Sequence, residues 1–223
     1  MYSADLSKIT LEDFENMMLS AQLLPSQRII LDDLSLNMQK LRNHGLKNLL
    51  EVQKLLKKKD RYPAISAEIG IDEDYLVILN RMVNSYVVKP LPLDKLGIFS
   101  KNELDRLAGE SIKNTKQYYE ALMTSGQREK LSDEIGIVLD RIEYALHIAD
   151  LLRINGVGVE YAKILYKMGI TCIDDYNSTP SKVILASFRE LNREKAYSRS
   201  NIGISDIDYC RRFCQKLDND IDW

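Results

Sequence analysis

The segment of this sequence whose residue types and spacing best suit a binding site consists of two glycines that flank a valine. Gly156, Val157 and Gly158 follow an apolar stretch, and residues 159–165 after them have the spacing of a helix. A glycine turn in front of a helix leaves the first N–H groups of that helix bare, and the helix dipole favours an anion there. The turn therefore predicts a phosphate site made of backbone groups.

Basic residues near this turn extend the predicted site. Glu160 sits at the start of the second helix, where its charge opposes a phosphate, and helical spacing directs Lys163 and Lys167 to another face. Arg193 and Arg199 follow in the next segment. The predicted nucleic-acid contacts are Gly156, Val157, Gly158, Lys163, Lys167, Arg193 and Arg199.

Other residue pairs point to catalysis only weakly. The acidic pairs at 32–33, 133–134 and 174–175 lack a third ligand at a defensible spacing, so a metal-dependent nuclease is a remote alternative. Cys210 and Cys214 lie one helical turn apart, and two small core residues explain them better than a metal site. We predict no catalytic residue, no metal and no cofactor.

The bulk composition is that of an ordinary globular protein. The chain has 223 residues, 45% hydrophobic and 29% charged, with a formal net charge of -2. A dedicated nucleic-acid binder is usually basic, so this balance counts mildly against that role. The start of the chain lacks a signal-peptide pattern and no apolar run could span a membrane. With three cysteines and no C-x-x-C pair, a reducing cytoplasmic location is expected.

A tripeptide that recurs at a regular interval organises the elements around the turn. Ile-Gly-Ile occurs at residues 69–71, 135–137 and 202–204, which indicates three copies of one supersecondary unit. Glycine just past a helix tolerates the left-handed conformation, so each tripeptide predicts a helix end. Residues 41–48 and 107–114 also align, and a third copy begins at Leu151.

Helix signals outnumber strand signals throughout the chain. Thr10 and Ser100 begin capping-box patterns, and Asp72 is placed to cap a buried helix over 75–83. We expect an all-α fold, an array of short helices built from three helix-hairpin-helix-like repeats. The expected regions are 1–89 with a first degenerate repeat, 90–150 with a second, and 151–223 with the C-terminal unit.

The third copy carries a family resemblance. Its sequence reads Gly-x-Gly-x-x-Tyr-Ala-x-x-Leu from Gly156, then Gly-Ile-x-x-x-x-Asp from Gly169, then Thr-Pro at 179–180. This resembles the helix-hairpin-helix motif and, over about 151–191, the DUF4332 family of unknown function. The resemblance implies two helices joined by the glycine turn, and contacts to a duplex backbone that position without reading sequence. The first two copies lack Gly-x-Gly.

Two basic stretches lie outside the turn. Residues 40–61 hold eight basic and two acidic residues, and residues 182–216 hold eight basic and four acidic ones. A groove between such stretches could hold a nucleic-acid backbone, whereas the simpler interpretation is a solvated helix face. For Lys57, Lys58 and Lys59 we favour the end of a helix, where cations are stabilising.

We therefore predict a non-enzymatic helical binding module, with the nucleic-acid backbone as ligand. The alternative is a protein-interaction or scaffold module without nucleic acid. No membrane partner is expected, and the oligomeric state stays open.

Overall fold

The protein is all-α. The computed structural model describes residues 1–21, 23, 25–195 and 202–223, and within these ranges its only β pairing is two isolated bridges. It divides into an N-terminal unit, Ala4–Val87, and a C-terminal unit, Val88–Trp223 together with Met1–Ser3. The predicted regions 1–89, 90–150 and 151–223 stay a prediction. No helix in the described ranges combines the length and apolar character that crossing a bilayer requires.

The N-terminal unit packs five α-helices around its own core. They are α1 Leu11–Ser20, α2 Leu34–Asn43, α3 Leu49–Leu55, α4 Tyr62–Ile69 and α5 Glu73–Asn84, with 3₁₀ helices at Pro25–Leu31 and Lys59–Arg61. Thr10 begins α1 with a capping box, and the Asp72 carboxylate accepts hydrogen bonds from the first turn of α5. The predicted helix over 75–83 is therefore confirmed, and Leu76, Leu79 and Val83 on it are fully buried.

The C-terminal unit is built around one central helix. Its helices are α6 Lys101–Gly109, α7 Thr115–Ala121, α8 Ser125–Ile135, α9 Leu139–Leu151, α10 Val159–Lys167, α11 Ile173–Ser178, α12 Ser181–Lys195 and α13 Ile204–Cys214, after a 3₁₀ helix at Leu93–Leu96. Helix α9 packs on α7, α8 and α10, while α13 packs on α11 and α12. Ile142, Leu146 and Ala149 are fully buried, because α9 turns its apolar face to these neighbours.

One hydrogen bond recurs in all three copies of the repeat. Just past the ends of α2, α6 and α10, the N–H of an apolar residue donates to the carbonyl of the residue five positions earlier. The pairs are Leu46 to Leu41 at 3.1 Å, Ile112 to Leu107 at 2.9 Å and Ile170 to Leu165 at 3.0 Å. This bond closes a helix whose next residue is left-handed. That residue is Gly45, Ser111 or Gly169, so the second copy holds a serine in a glycine conformation.

The first two Ile-Gly-Ile tripeptides end helices, as predicted. Gly70 and Gly136 are left-handed C-caps of α4 and α8, with φ of 74° and 61°. In each copy a cation from the preceding hairpin binds the glycine carbonyl: Lys40 at 2.5 Å in the first and Arg106 at 3.1 Å in the second. Lys40, part of the basic stretch 40–61, is therefore engaged within its own unit.

The third tripeptide was predicted wrongly. Gly203 has extended backbone, φ -115° and ψ 174°, and is the N-cap of α13, so a helix starts there. Its N–H donates to the Asp206 carboxylate at 2.8 Å. The position that corresponds to Lys40 and Arg106 is Ile164, which carries no cation for a helix end. The tripeptide at 202–204 therefore does not end a helix as the first two do, although it follows them at a regular interval.

The left-handed Gly136 and the extended Gly203 should respond differently to replacement by alanine. Gly136→Ala should lower the free energy of unfolding by about 1–2 kcal/mol, because an L-residue is strained in the left-handed region. Gly203→Ala should change it by less than about 0.5 kcal/mol, since reduced unfolded-state entropy opposes the poorer N-cap. Urea unfolding followed by circular dichroism measures both, and equal losses would contradict the assignment of Gly203.

Candidate functional site

The turn between α9 and α10 is held from inside the C-terminal unit. The Val157 N–H donates to the Ile154 carbonyl at 3.0 Å, and the Val157 side chain is buried. Gly156 lies in the left-handed region with φ of 96°, which a residue with a Cβ rarely adopts. Of the predicted site residues, Val157 therefore anchors the turn, and Gly156 and Gly158 are exposed on either side of it.

Helix α13 closes the back of the turn, which the sequence analysis missed. A Cβ on Gly156 would lie 2.7 Å from the Cys210 Sγ and 3.6 Å from the Tyr209 ring. Burial raises the pKa of the Cys210 thiol to about 11, so this sulfur is a neutral packing group. Glycine is thus required at position 156 because α13 packs against it. Only the side of the turn that faces away from α13 is open to a ligand.

Gly158 provides that free side. It is the N-cap of α10 in extended conformation, φ -92° and ψ 171°, and no side chain caps the first turn. A Cβ at Gly158 would have no neighbour within 4 Å. The first N–H groups of a helix have no partner within the helix, and Gly158 has no side chain that could cover those of α10. This arrangement can accept an anion by hydrogen bonds and by the helix dipole.

The corresponding turn in the second copy is already occupied by its own side chains. Helix α6 begins at Ser100, whose hydroxyl accepts from the Glu103 N–H, while the Glu103 carboxylate accepts from the Ser100 N–H at 2.7 Å. These hydrogen bonds hold the pKa of Glu103 below its usual range. Its negative charge fills the position that an anion would take at α10.

Lys163 lies on another face of α10 than the turn, as helical spacing predicted. Its Nζ lies 3.3 Å from the Glu160 carboxylate, whose side chain is 77% exposed, so the two charges compensate each other. The same Nζ would be 3.8 Å from a Cβ on Gly97. Lys163 therefore lines an open cleft of about 480 Å³ with Asp140 and Arg141, away from the free side of Gly158. Lys167 is exposed one turn further along α10.

The predicted arginines divide into different roles. Arg193 is exposed in the last turn of α12, and Arg199 lies outside the described residues. Arg211, in the same basic stretch, donates to the carbonyls of Tyr176, Asn177 and Thr179 at 2.5–2.6 Å and so binds the C-terminal end of α11. Arg211 is a structural cation, whereas Arg193 is exposed at the surface.

A buried arginine just before the turn was not singled out by the sequence analysis. Arg153 is 1% exposed and pairs with Asp150, which is fully buried, at 2.5 Å. Its five N–H groups are all donated: to the carbonyls of Tyr2, Met1 and Asp218, to the Tyr119 hydroxyl and to the Asp150 carboxylate. The signal that could have revealed it is a charged pair at i and i+3 inside an apolar run.

The residues at the end of the chain pack against the same unit. Arg128 donates to the Asp222 carbonyl at 2.7 Å, and the Trp223 ring stacks on His147 with 4.0 Å between ring centres. Burial lowers the pKa of His147 against the raising effect of its hydrogen bond to Thr171. Asp218, Asp220 and Asp222 are exposed, while the Trp223 ring docks on the body of the unit.

The other candidate groups do not converge. Among the residues that the structure describes, no three His, Cys, Asp or Glu side chains are placed to share a metal ion. Cys172, Cys210 and Cys214 are buried free thiols. Tyr118, Tyr119 and Tyr176 are fully buried, so they pack in the core and are closed to stacking on bases.

Comparison with known proteins places the chain in a family. A family model described as "Domain of unknown function (DUF4332)" matches residues 97–216, which is more than half of the chain and includes the turn before α10. No match to a curated protein or to a solved structure was found. The protein belongs to the DUF4332 family.

Proposed function

We propose that the protein is a non-enzymatic helical binding module whose C-terminal unit holds a nucleic-acid backbone at the turn before α10. The observation that carries this proposal is the uncapped first turn of α10 beside Gly158, which is exposed and has no neighbour within 4 Å of a Cβ position. A backbone phosphate supplies the acceptor and the charge that such a helix start favours.

The rest of the site fits a sequence-tolerant contact. The connection of α9 to α10 through residues 156–158 has the sequence pattern of a helix-hairpin-helix, in which backbone groups bind phosphate. Lys167 and Arg193 are exposed cations of the same unit, and Arg199 is proposed to join them. Binding of this kind weakens as salt rises, because counterions are released from the nucleic acid. We propose a cytoplasmic location for this activity.

Gly158→Asp tests the proposal. The new carboxylate should cap α10 and accept hydrogen bonds from its first N–H groups. The affinity for a short fluorescent duplex should therefore fall at least about tenfold. The free energy of unfolding should rise by about a few tenths of a kcal/mol, since aspartate is a better N-cap than glycine. Fluorescence polarisation at about 50 mM and about 200 mM salt measures the affinity.

Gly126→Asp is the matched control. Gly126 lies in the first turn of α8 in the same unit, and a Cβ there also meets nothing within 4 Å. This variant adds the same charge at another helix start and should leave affinity unchanged. If the wild-type chain binds no duplex, single strand or RNA at low salt, or if both variants weaken binding equally, the proposed site is wrong.

A protein-interaction module is the second candidate. It is favoured by the exposed Glu160 at the start of α10 and by two large apolar side chains of the same unit, Val138 at 67% and Val183 at 50% exposure. Light scattering of the purified chain distinguishes the two candidates. A stable oligomer or partner complex that persists without nucleic acid would favour this alternative.

A further inference from the structure

A cleft in the N-terminal unit has a lining without any carboxylate. It measures about 420 Å³ and lies between α3 and α5. Its polar lining consists of the carboxamides of Gln53, Asn80 and Asn84 and the ammonium groups of Lys54 and Lys57, with Leu50 among its apolar residues. Ligand sites have volumes of about 300–1,000 Å³, so the cleft is large enough for a small organic molecule.

The three carboxamides form a hydrogen-bonded chain with a fixed direction. The Gln53 Nε2 donates to the Asn84 Oδ1 at 2.9 Å, and the Asn84 Nδ2 donates to the Asn80 Oδ1 at 2.7 Å. The chain therefore ends in an acceptor, the Gln53 Oε1, and a donor, the Asn80 Nδ2. These two groups lie at opposite ends of the chain, so a base edge would meet one carboxamide at a time. The Gln53 carboxamide keeps its Oε1 as an acceptor and one N–H as a donor, and the oxygen and nitrogen of a single carboxamide are what binds the edge of a nucleic-acid base.

The two lysines supply positive charge without compensation. Lys54 and Lys57 are exposed and form no ion pair with any described residue of the chain. Lys54 lies in the last turn of α3 and Lys57 lies two residues beyond its end, and both line the cleft. Lysine binds phosphate as a point charge, and two of them suit a phosphate with two negative charges.

Two other clefts in the described part of the chain have mixed charge. The cleft beside Gly97 includes Asp140, and its Arg141 and Lys163 are each paired with a glutamate. A cleft of about 320 Å³ between Thr10 and Lys47 includes Glu12, and its Arg42 is paired with Glu15. The cleft between α3 and α5 is distinguished from these by its cations and amides alone.

We propose that the cleft between α3 and α5 binds a nucleotide, with its phosphate on Lys54 and Lys57 and its base edge on Gln53. The nucleotide is either free or part of a nucleic-acid strand, since both present the same phosphate and base. The site lies in the N-terminal unit, outside the residues that match the family model, and is independent of the turn before α10.

Titration of the full chain with 5′-AMP, adenosine, inorganic phosphate and a short oligoadenylate tests this proposal by calorimetry. We expect 5′-AMP or the oligonucleotide to bind, with adenosine and phosphate at least about tenfold weaker. Tighter binding of the oligonucleotide identifies a strand as the ligand, and equal or tighter binding of 5′-AMP identifies a free nucleotide. If neither 5′-AMP nor the oligonucleotide binds, the proposed site is wrong.

Two variants locate the binding. Lys54→Gln with Lys57→Gln should weaken nucleotide binding at least about tenfold, whereas Lys58→Gln with Lys59→Gln, an equal charge change beside the cleft, should alter it less than about threefold. Gln53→Ala should weaken 5′-AMP but not phosphate. Equal effects of both lysine pairs, or an unchanged affinity of Gln53→Ala for 5′-AMP, would overturn the proposal. Gly158→Asp should leave this binding unchanged, so the two sites fail independently.

Discussion

Replacing Arg153 with methionine should lower the free energy of unfolding of the C-terminal unit by about 3–5 kcal/mol. The loss arises because Asp150 stays buried without its cation and because carbonyls of Met1, Tyr2 and Asp218 lose their donor. The single tryptophan, Trp223, stacks on His147 in this unit, so its fluorescence during urea unfolding reports the change.

The pH dependence of this variant identifies the buried charge as the cause. Burial already raises the pKa of the Asp150 carboxyl, and Arg153 opposes that effect. Without Arg153 the folded-state pKa of Asp150 rises further, so the contribution of Asp150 to stability is fully present at low pH and is lost as pH rises through that pKa. Mild acidification should therefore narrow the difference between the variant and the wild type.

A surface pair serves as control for Arg153. Lys130→Met removes one partner of the exposed Lys130–Glu134 pair in the same unit and should cost less than about 0.5 kcal/mol. The interpretation fails if Arg153→Met costs under about 1 kcal/mol. It also fails if adding Asp150→Asn to Arg153→Met restores none of the lost stability.

Gly156→Ala should destabilise the same unit by about 2–4 kcal/mol. About 1–2 kcal/mol comes from placing an L-residue at positive φ, and the rest comes from forcing the new methyl against Cys210. Urea unfolding followed by circular dichroism measures the loss. Gly158→Ala is the matched control: its backbone is extended and its surroundings are open, so it should cost less than about 1 kcal/mol.

A double-mutant cycle separates the two contributions at Gly156. Cys210→Ala removes the sulfur that the new methyl would meet, so Gly156→Ala should cost about 1 kcal/mol less in that background. The backbone cost should persist, because φ at this position is set by the turn. A cost that is the same in both backgrounds would show that α13 does not press on the turn.

The sequence allowed the all-α fold and many helix boundaries to be predicted because the signals are local. The capping boxes at Thr10 and Ser100 and the glycines at 70 and 136 act within one helix turn, and each behaves as expected. Gly203 shows the limit of this reasoning: the same tripeptide begins a helix, and Ile164 stands where the earlier copies carry Lys40 and Arg106.

The site depends on contacts between distant residues, and these were harder to predict. The need for glycine at 156 comes from Cys210, on a helix that a local pattern cannot place. The role of Arg153 depends on carbonyls at both ends of the chain, which no spacing indicates. The glycine turn in front of a helix was predicted from local sequence alone, and Gly158 is the N-cap of α10.

The bonds of Arg153 to the first residues have a consequence for the order of folding. The hydrogen bond from Arg153 to Tyr2 joins positions 151 residues apart, and most of the chain between Ser3 and Val88 is a separate compact unit inserted into the other. The entropic cost of closing a loop grows with its length, so early folding of Ala4–Val87 shortens the flexible chain that remains to be closed. We therefore expect the contacts of Arg153 to Met1 and Tyr2 to form more readily once Ala4–Val87 has folded.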